Sequence, residues 1–215
     1  MPRPTDCLIV VDVQNDFCPG GALAVERGDE IVPLVNRLAR CFENVVVTQD
    51  WHPAGHISFA SSHPGKKPFE TKRLRYGEQV LWPDHCVQGT RGAALHEALD
   101  VPHSQLLLRK GFHPKVDSYS AFLEADRKTK TGLDGYFRSR GVKRAYCVGL
   151  ATDFCVAWTA LDARRFGLAA VVLEDACRAI DNAGSLAAAH AAMAKAGVKR
   201  SDSSALLRRA GSSRA

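Results

Sequence analysis

Short apolar runs alternate along the chain with amphipathic or irregular segments. Residues 7–12, Cys-Leu-Ile-Val-Val-Asp, read as a strand buried on both faces, because a continuous β-branched run leaves no polar side for solvent. The same pattern predicts strands over 44–48, 105–109, 143–148 and 168–173, and a weaker sixth over 199–206. Between them, Ile31, Leu34, Val35, Leu38 and Phe42 recur at helical spacing, which predicts a helix over 28–42. Residues 154–166 and the Ala-rich 185–196 read as further helices. Strands alternating with helices imply a parallel sheet covered on both faces.

Two segments break this rhythm. Residues 51–88 are rich in His, Pro, Gly and aromatics, and 111–141 are only partly helical in pattern. Loops of that length inside a compact domain are usually functional. No linker divides the chain, so residues 1–207 read as a single domain. The Ser-, Gly- and Arg-rich residues 208–215 read as a disordered tail.

Composition changes this picture little. In 215 residues, 46% hydrophobic and 24% charged side chains are ordinary for a globular protein with a real core. No apolar run approaches the roughly 20 residues needed to cross a bilayer. The polar start, residues 1–6, lacks the features of a signal peptide, so a cytoplasmic setting is expected. The net charge of +6 is local: Lys66, Lys67, Lys72, Arg73 and Arg75 in one stretch, Arg208, Arg209 and Arg214 near the end. No basic stripe interleaves with aromatics, so neither nucleic acid nor membrane is expected as a partner. Seven cysteines without a Cys-x-x-Cys pair argue against a disulfide framework and a structural zinc site.

In parallel sheets, ligands bind beyond the carboxyl ends of the strands. There the predicted strands end at Asp12, Asp50, Lys110 and the segment leading to Cys155. A solitary cysteine is more often a small buried hydrophobe than a nucleophile. Cys155, however, falls near a predicted helix start, where the helix dipole and an ammonium such as Lys110 are expected to lower its pKa. Asp12 is placed to accept its proton and return it to a leaving group. The backbone N–H groups of the preceding turn, 149–153, are candidate oxyanion donors. A second cluster combines Asp50, His52, His56 and His85. One carboxylate with two or three imidazoles suits zinc, iron or manganese, and composition alone does not separate that reading from ordinary surface histidines. Phe17, Trp51, Trp82 and Tyr119 lie in loops, placed to pack or to stack on a flat ring.

Residues 11–17 (Val-Asp-Val-Gln-Asn-Asp-Phe), Asp50-Trp-His52, residues 82–89 (Trp-Pro-Asp-His-Cys-Val-Gln-Gly), Lys110-Gly111 and residues 149–156 (Gly-Leu-Ala-Thr-Asp-Phe-Cys-Val) follow in that order. Together they resemble the nicotinamidases (pyrazinamidases) of the isochorismatase-like cysteine hydrolases, across residues 6–207. The resemblance implies the isochorismatase-like hydrolase fold: three layers, α/β/α, around a six-stranded, mostly parallel sheet. It implies hydrolysis of nicotinamide to nicotinate and ammonia through a thioester, in NAD salvage, with pyrazinamide as a further substrate. Cys155 would be the nucleophile, Asp12 the general base and acid, and Lys110 the third member of a triad. The N–H groups of Ala151 and Cys155 would form the oxyanion hole, beside a cis Leu150–Ala151 peptide. Asp50, His52 and His85 would hold one divalent metal, zinc foremost, which takes the pyridine nitrogen; His56 and Ser58 stand nearby as further candidates. Phe17 and Trp82 would sandwich the ring, with Tyr119 as a third substrate contact. The partner expected is the small-molecule substrate nicotinamide, with a homo-oligomer left open. The rival readings are a carbamoyl or ureido hydrolase of the same superfamily, a silent binding domain on this fold, and a thiol redox protein.

Overall fold

The computed structural model of the chain describes residues 2–211. In chain order the strands are β1 (Asp6–Val11), β2 (Asn44–Asp50), β3 (Thr71–Leu74), β4 (Gly77–Val80), β5 (Leu106–Lys110), β6 (Arg144–Leu150), β7 (Ala169–Arg178) and β8 (Lys199–Ser201). The α-helices are α1 (Val32–Ala39), α2 (Leu133–Ser139), α3 (Ala157–Arg165), α4 (Ser185–Lys195) and α5 (Ser204–Gly211). Six strands form one sheet in the order β5-β2-β1-β6-β7-β8, and every neighbouring pair is parallel. The expected three-layer α/β/α architecture is what the chain adopts.

Alternation along β1 explains the layers. Leu8 and Val10 point into one apolar cluster, which also takes Val35 and Leu38 of α1 and Leu206 and Leu207 of α5. Cys7, Ile9 and Val11 point into the other, which takes Phe137 of α2, Ala160 of α3 and Met193 of α4. All six residues of β1 are buried, as a central parallel strand requires. At Gly149 the sheet closes so tightly that a Cβ would stand 2.1 Å from Val11 O, at φ +116. Only glycine satisfies both constraints.

Several elements differ from the sequence reading. The predicted helix over 28–42 begins as a 3₁₀ turn, Gly28–Ile31, and becomes α1 only where Pro33 occupies the first turn. The predicted sixth strand stops at Ser201. The main-chain N–H of Ser204 then bonds Asp202 Oδ1 at 2.8 Å and the chain turns into α5. That helix also covers 208–211, which composition had assigned to an irregular tail, because Leu206 and Leu207 anchor its first turns on the core. The remainder of the expected tail, 212–215, lies outside the described residues. Within the first long loop, β3 and β4 form an antiparallel hairpin of their own. Part of the basic stretch is neutralised there: Lys66 pairs with Glu70 at 3.0 Å, and Lys72 Nζ donates to His63 Nδ1 at 2.9 Å.

Candidate active site

The carboxyl ends of β1, β2, β5 and β6 meet on one rim. Asp12 follows β1 directly, at φ +46, and is fully buried. Its Oδ1 accepts a hydrogen bond from Thr48 Oγ1 at 2.6 Å, and its Oδ2 lies 2.8 Å from Lys110 Nζ. Lys110 ends β5 and is also fully buried. Its ammonium donates to Asp50 Oδ1, to Ser118 O at 3.0 Å and to Cys155 Sγ at 3.4 Å. Cys155 sits in a π-helical turn, Thr152–Val156, between β6 and α3. Its sulfur and one carboxylate oxygen from each of Asp12 and Asp50 all lie within 4.8 Å of one another. The Leu150–Ala151 peptide is cis. The three residues read as a triad are therefore brought together, and Lys110 in addition joins them to Asp50.

One expectation is corrected here. Burial pushes the Cys155 thiol well up, Asp12 and Asp50 push it further, and Lys110 opposes them without prevailing. Burial and two carboxylates outweigh one ammonium, so the thiol form is favoured over the thiolate. Asp12 is raised as well, chiefly by burial; Lys110 pulls it down and Asp50 pushes it up. A buried thiol beside a carboxylate of increased proton affinity suits proton transfer at the moment of attack.

On the far side of Lys110, burial works to raise Asp50, but Lys110, His52 and His85 hold it well below the usual carboxylate range. Its Oδ2 faces His52 Nε2 at 3.6 Å and His85 Nε2 at 3.9 Å. His52 Nδ1 is paired with Gly111 O at 2.8 Å, and His85 Nδ1 with Pro83 O at 2.8 Å. With each Nδ1 engaged by a carbonyl, the Nε2 of each ring is the nitrogen left facing Asp50. His52 Nε2 is buried with no hydrogen-bond partner. An orphaned imidazole nitrogen aimed at a second imidazole and a carboxylate is the donor set of a divalent metal. Two buried carboxylates, Asp12 and Asp50, share the one ammonium of Lys110, and the buried Asp117 stands beside His52, a negative excess that a divalent cation would offset. Gly111 is needed for this packing: at φ +66, a Cβ there would come within 2.5 Å of the His52 ring.

His56 is close by, its ring stacked on His52 at 4.4 Å, but both of its nitrogens are engaged. Nε2 faces the carbonyls of His113 at 3.0 Å and Val116 at 3.3 Å, and Nδ1 lies 2.7 Å from Ser58 Oγ. Carbonyls only accept, so Nε2 carries the proton and Nδ1 accepts from Ser58. His56 and Ser58 support the ring of His52 and face one another rather than the Asp50–His52–His85 set.

A cavity of about 320 Å³, its open mouth included, joins the two clusters. Phe17, Trp82 and Tyr119 line it, together with Cys155, Ala151 and the metal-type donors. Trp51 does not; its ring packs under the Arg109 guanidinium at 3.8 Å. Residues that the sequence reading did not single out hold the walls. Gln14 clamps the main chain of Asp50, accepting its N–H at 2.8 Å and donating to its carbonyl at 2.9 Å. Thr48, two positions before Asp50 on β2, orients Asp12. A lone Gln or Thr carries no signal of such a role until the strands are assembled.

Glu124 is a further buried carboxyl, 3% exposed, with Oε2 unpartnered. Burial raises its pKa from an ordinary 4.5 to about 7. A carboxyl raised on folding stabilises the fold most below its unfolded pKa, and that contribution is lost as pH rises to about 7. Glu124→Gln removes the cost of burying the charge. It is therefore expected to be more stable than wild type at pH 8, by up to about 3 kcal/mol at about 1.4 kcal/mol per pH unit. The advantage should disappear near pH 4; urea denaturation at the two pH values checks it, and equal midpoints at pH 8 would refute it.

With this geometry in view, the isochorismatase domain model matches residues 6–204. The chain is 59% identical over 208 residues to the nicotinamidase of Acinetobacter baylyi, covering 96% of this chain and 97% of that one. Among solved structures, it is similar to an Acinetobacter baumanii nicotinamidase/pyrazinamidase, at a TM-score of 0.95 and 58% identity over 96% of this chain and all of that one. It is also similar to the pyrazinamidase of Pyrococcus horikoshii in complex with zinc, at a TM-score of 0.75 and 37% identity over 93% and 99%.

Proposed function

We propose that this chain, which belongs to the isochorismatase family, hydrolyses nicotinamide to nicotinate and ammonia and acts on pyrazinamide by the same route. The observation that carries this reading is one cavity that a buried thiol and a His-rich metal-type cluster line together among aromatic walls, with the carboxylate of Asp12 beside the thiol. The similarity to nicotinamidases over nearly the whole chain supports it. Neither a carbamoyl hydrolase nor a redox protein accounts for that combination as well.

The chemistry follows from the contacts. Asp12 takes the thiol proton as Cys155 Sγ attacks the carboxamide carbon, and Lys110 holds both groups in register through its ammonium. The N–H groups of Ala151 and Cys155 stabilise the developing oxyanion. As the C–N bond breaks, Asp12 gives its proton to the departing ammonia and a thioester remains. Asp12 then takes a proton from water as the water oxygen attacks; the C–S bond breaks, nicotinate forms and the thiol is restored. Asp50, His52 and His85 would hold one divalent cation, zinc in this reading, which would supply a Lewis-acid anchor for the ring nitrogen. Phe17, Trp82 and Tyr119 hold the ring between them. Seven cysteines without a disulfide suit a reducing compartment such as the cytoplasm.

The direct test is release of ammonia and nicotinate from nicotinamide by the purified, metal-replete, reduced protein; no product from such a sample would overturn the reading. Anchoring predicts a second result. Chelation, or His52→Ala, should raise KM for nicotinamide by about tenfold or more while circular dichroism stays unchanged. An apoprotein with the KM of the holoprotein would remove the anchor.

A further inference from the structure

The hairpin β3–β4 carries no part of the chemistry above, yet through Gln79 it touches Tyr119, a wall of the substrate cavity. Gln79 of β4 is 2% exposed. Its side-chain nitrogen lies 2.8 Å from Val80 O, 2.7 Å from Asp117 Oδ2 and 2.8 Å from Tyr119 Oη, so its two N–H hydrogens are shared among three acceptors. Its Oε1 accepts a hydrogen bond from Tyr76 Oη at 3.0 Å. The Tyr119 oxygen also accepts from Trp82 Nε1 at 3.0 Å, so two N–H groups from different segments hold that one hydroxyl. Trp82 and Tyr119 are thereby held near perpendicular, at 88° with centroids 6.3 Å apart. The segment leading into the hairpin adds a second brace. Phe69, at φ +71 and 43% exposed, donates its N–H to Leu81 O at 2.6 Å and rests edge-on against Trp82, at 86° and 5.9 Å. A bulky residue held at positive φ on the surface is a conformation that the surrounding packing has to impose.

We infer that Gln79 is a positioning residue: the hairpin uses it to hold Tyr119, and through Tyr119 also Trp82, as adjoining perpendicular walls of the cavity that takes a planar aromatic carboxamide, and so sets affinity rather than turnover. The inference rests on the reaction proposed above. Two rings already held in the bound geometry need no further ordering when the flat substrate enters, which is where preorganisation adds affinity. Gln79 touches neither Cys155 nor Asp12, so the rate of attack on a bound substrate is left to the triad. Tyr119, which it contacts, and Trp82, which Tyr119 holds, are cavity walls, whereas Gln79 itself does not line the cavity.

Steady-state kinetics on nicotinamide with wild type, Gln79→Leu and Tyr76→Phe test this, with thermal melts run in parallel. Gln79→Leu keeps the volume and removes the donors; KM should rise about tenfold while kcat stays within about threefold. Tyr76→Phe removes the outer bond to Gln79 Oε1 without touching the cavity and should shift KM the same way, by about two- to threefold. A KM within twofold of wild type in Gln79→Leu, or a fall in kcat at constant KM, overturns the inference. Should Gln79→Leu fail to fold, an unchanged KM in Tyr76→Phe overturns it. Wild type separates the two levels: no ammonia from wild type refutes the proposed reaction, whereas active wild type with unmoved variants refutes only the role of Gln79.

Discussion

Cys155→Ala is expected to lose nicotinamide hydrolysis by more than about 10⁴-fold in kcat while keeping its fold. The whole proposed route passes through the sulfur: without it there is no thioester, and removing the nucleophile of a concerted triad costs about as much as removing the triad. What remains is a hydrated cavity with an oxyanion site and no attacking atom. The fold should survive, because the side chain is small and 5% exposed, and Lys110, 3.4 Å from its sulfur, has other partners. Losing the sulfur leaves Lys110 still bound to Asp12, Asp50 and Ser118 O. The melting temperature should therefore change by only a few degrees, and the variant should still bind nicotinamide. Ammonia assays beside calorimetric titration of ligand check both halves; retained turnover in Cys155→Ala would refute the covalent mechanism.

Much of this site is legible before any coordinates. Buried parallel strands are nearly continuous apolar runs, so β1, β2 and β6 stand out, and with them the rim where Asp12, Asp50 and the Cys155 turn must gather. What stays hidden depends on the third dimension. β3 and β4 are half-exposed and polar, so the apolar pattern that reveals the central strands is missing from them. Leu206 and Leu207 fit a strand or a helix equally well over so few residues, and the Asp202 bond decides between them. The sequence leaves His56 open as a ligand, and its hydrogen bonds to the carbonyls of His113 and Val116, nearly sixty residues away, come into view only in the fold. The Cys155 thiol fails the simple helix-start rule for the same reason. Its state is set by complete burial and by two carboxylates from other strands, not by its place in the local sequence.

That coupling makes Lys110→Met the most damaging single change for stability. Lys110 is a fully buried ammonium at the end of an edge strand, bound to two buried carboxylates and a main-chain carbonyl. An apolar residue of similar length leaves Asp12 and Asp50 facing each other without their shared cation. Breaking a buried ion pair from one side costs about 3–5 kcal/mol, because the abandoned charge keeps its desolvation penalty. The carboxylates have one escape, which is to take a proton. Asp12 is already raised by burial and by Asp50, with Lys110 as the opposing influence, so deleting Lys110 drives it higher. Its folded pKa would then lie further above its unfolded value, and the sign follows: the variant should lose least below the unfolded pKa and most as pH rises through the folded one. The stability gap between Lys110→Met and wild type should thus be wider at pH 8 than at pH 5. Adding Asp12→Asn to Lys110→Met should recover part of the loss at pH 8, since the amide needs no counter-charge, without recovering any activity, since it cannot take the thiol proton. Urea titrations of the single and double variants at both pH values measure this. A pH-independent loss, or a double variant less stable than Lys110→Met alone, would mean that Lys110 acts through packing and not as the common counter-ion of the nucleophile's base and the metal-type cluster.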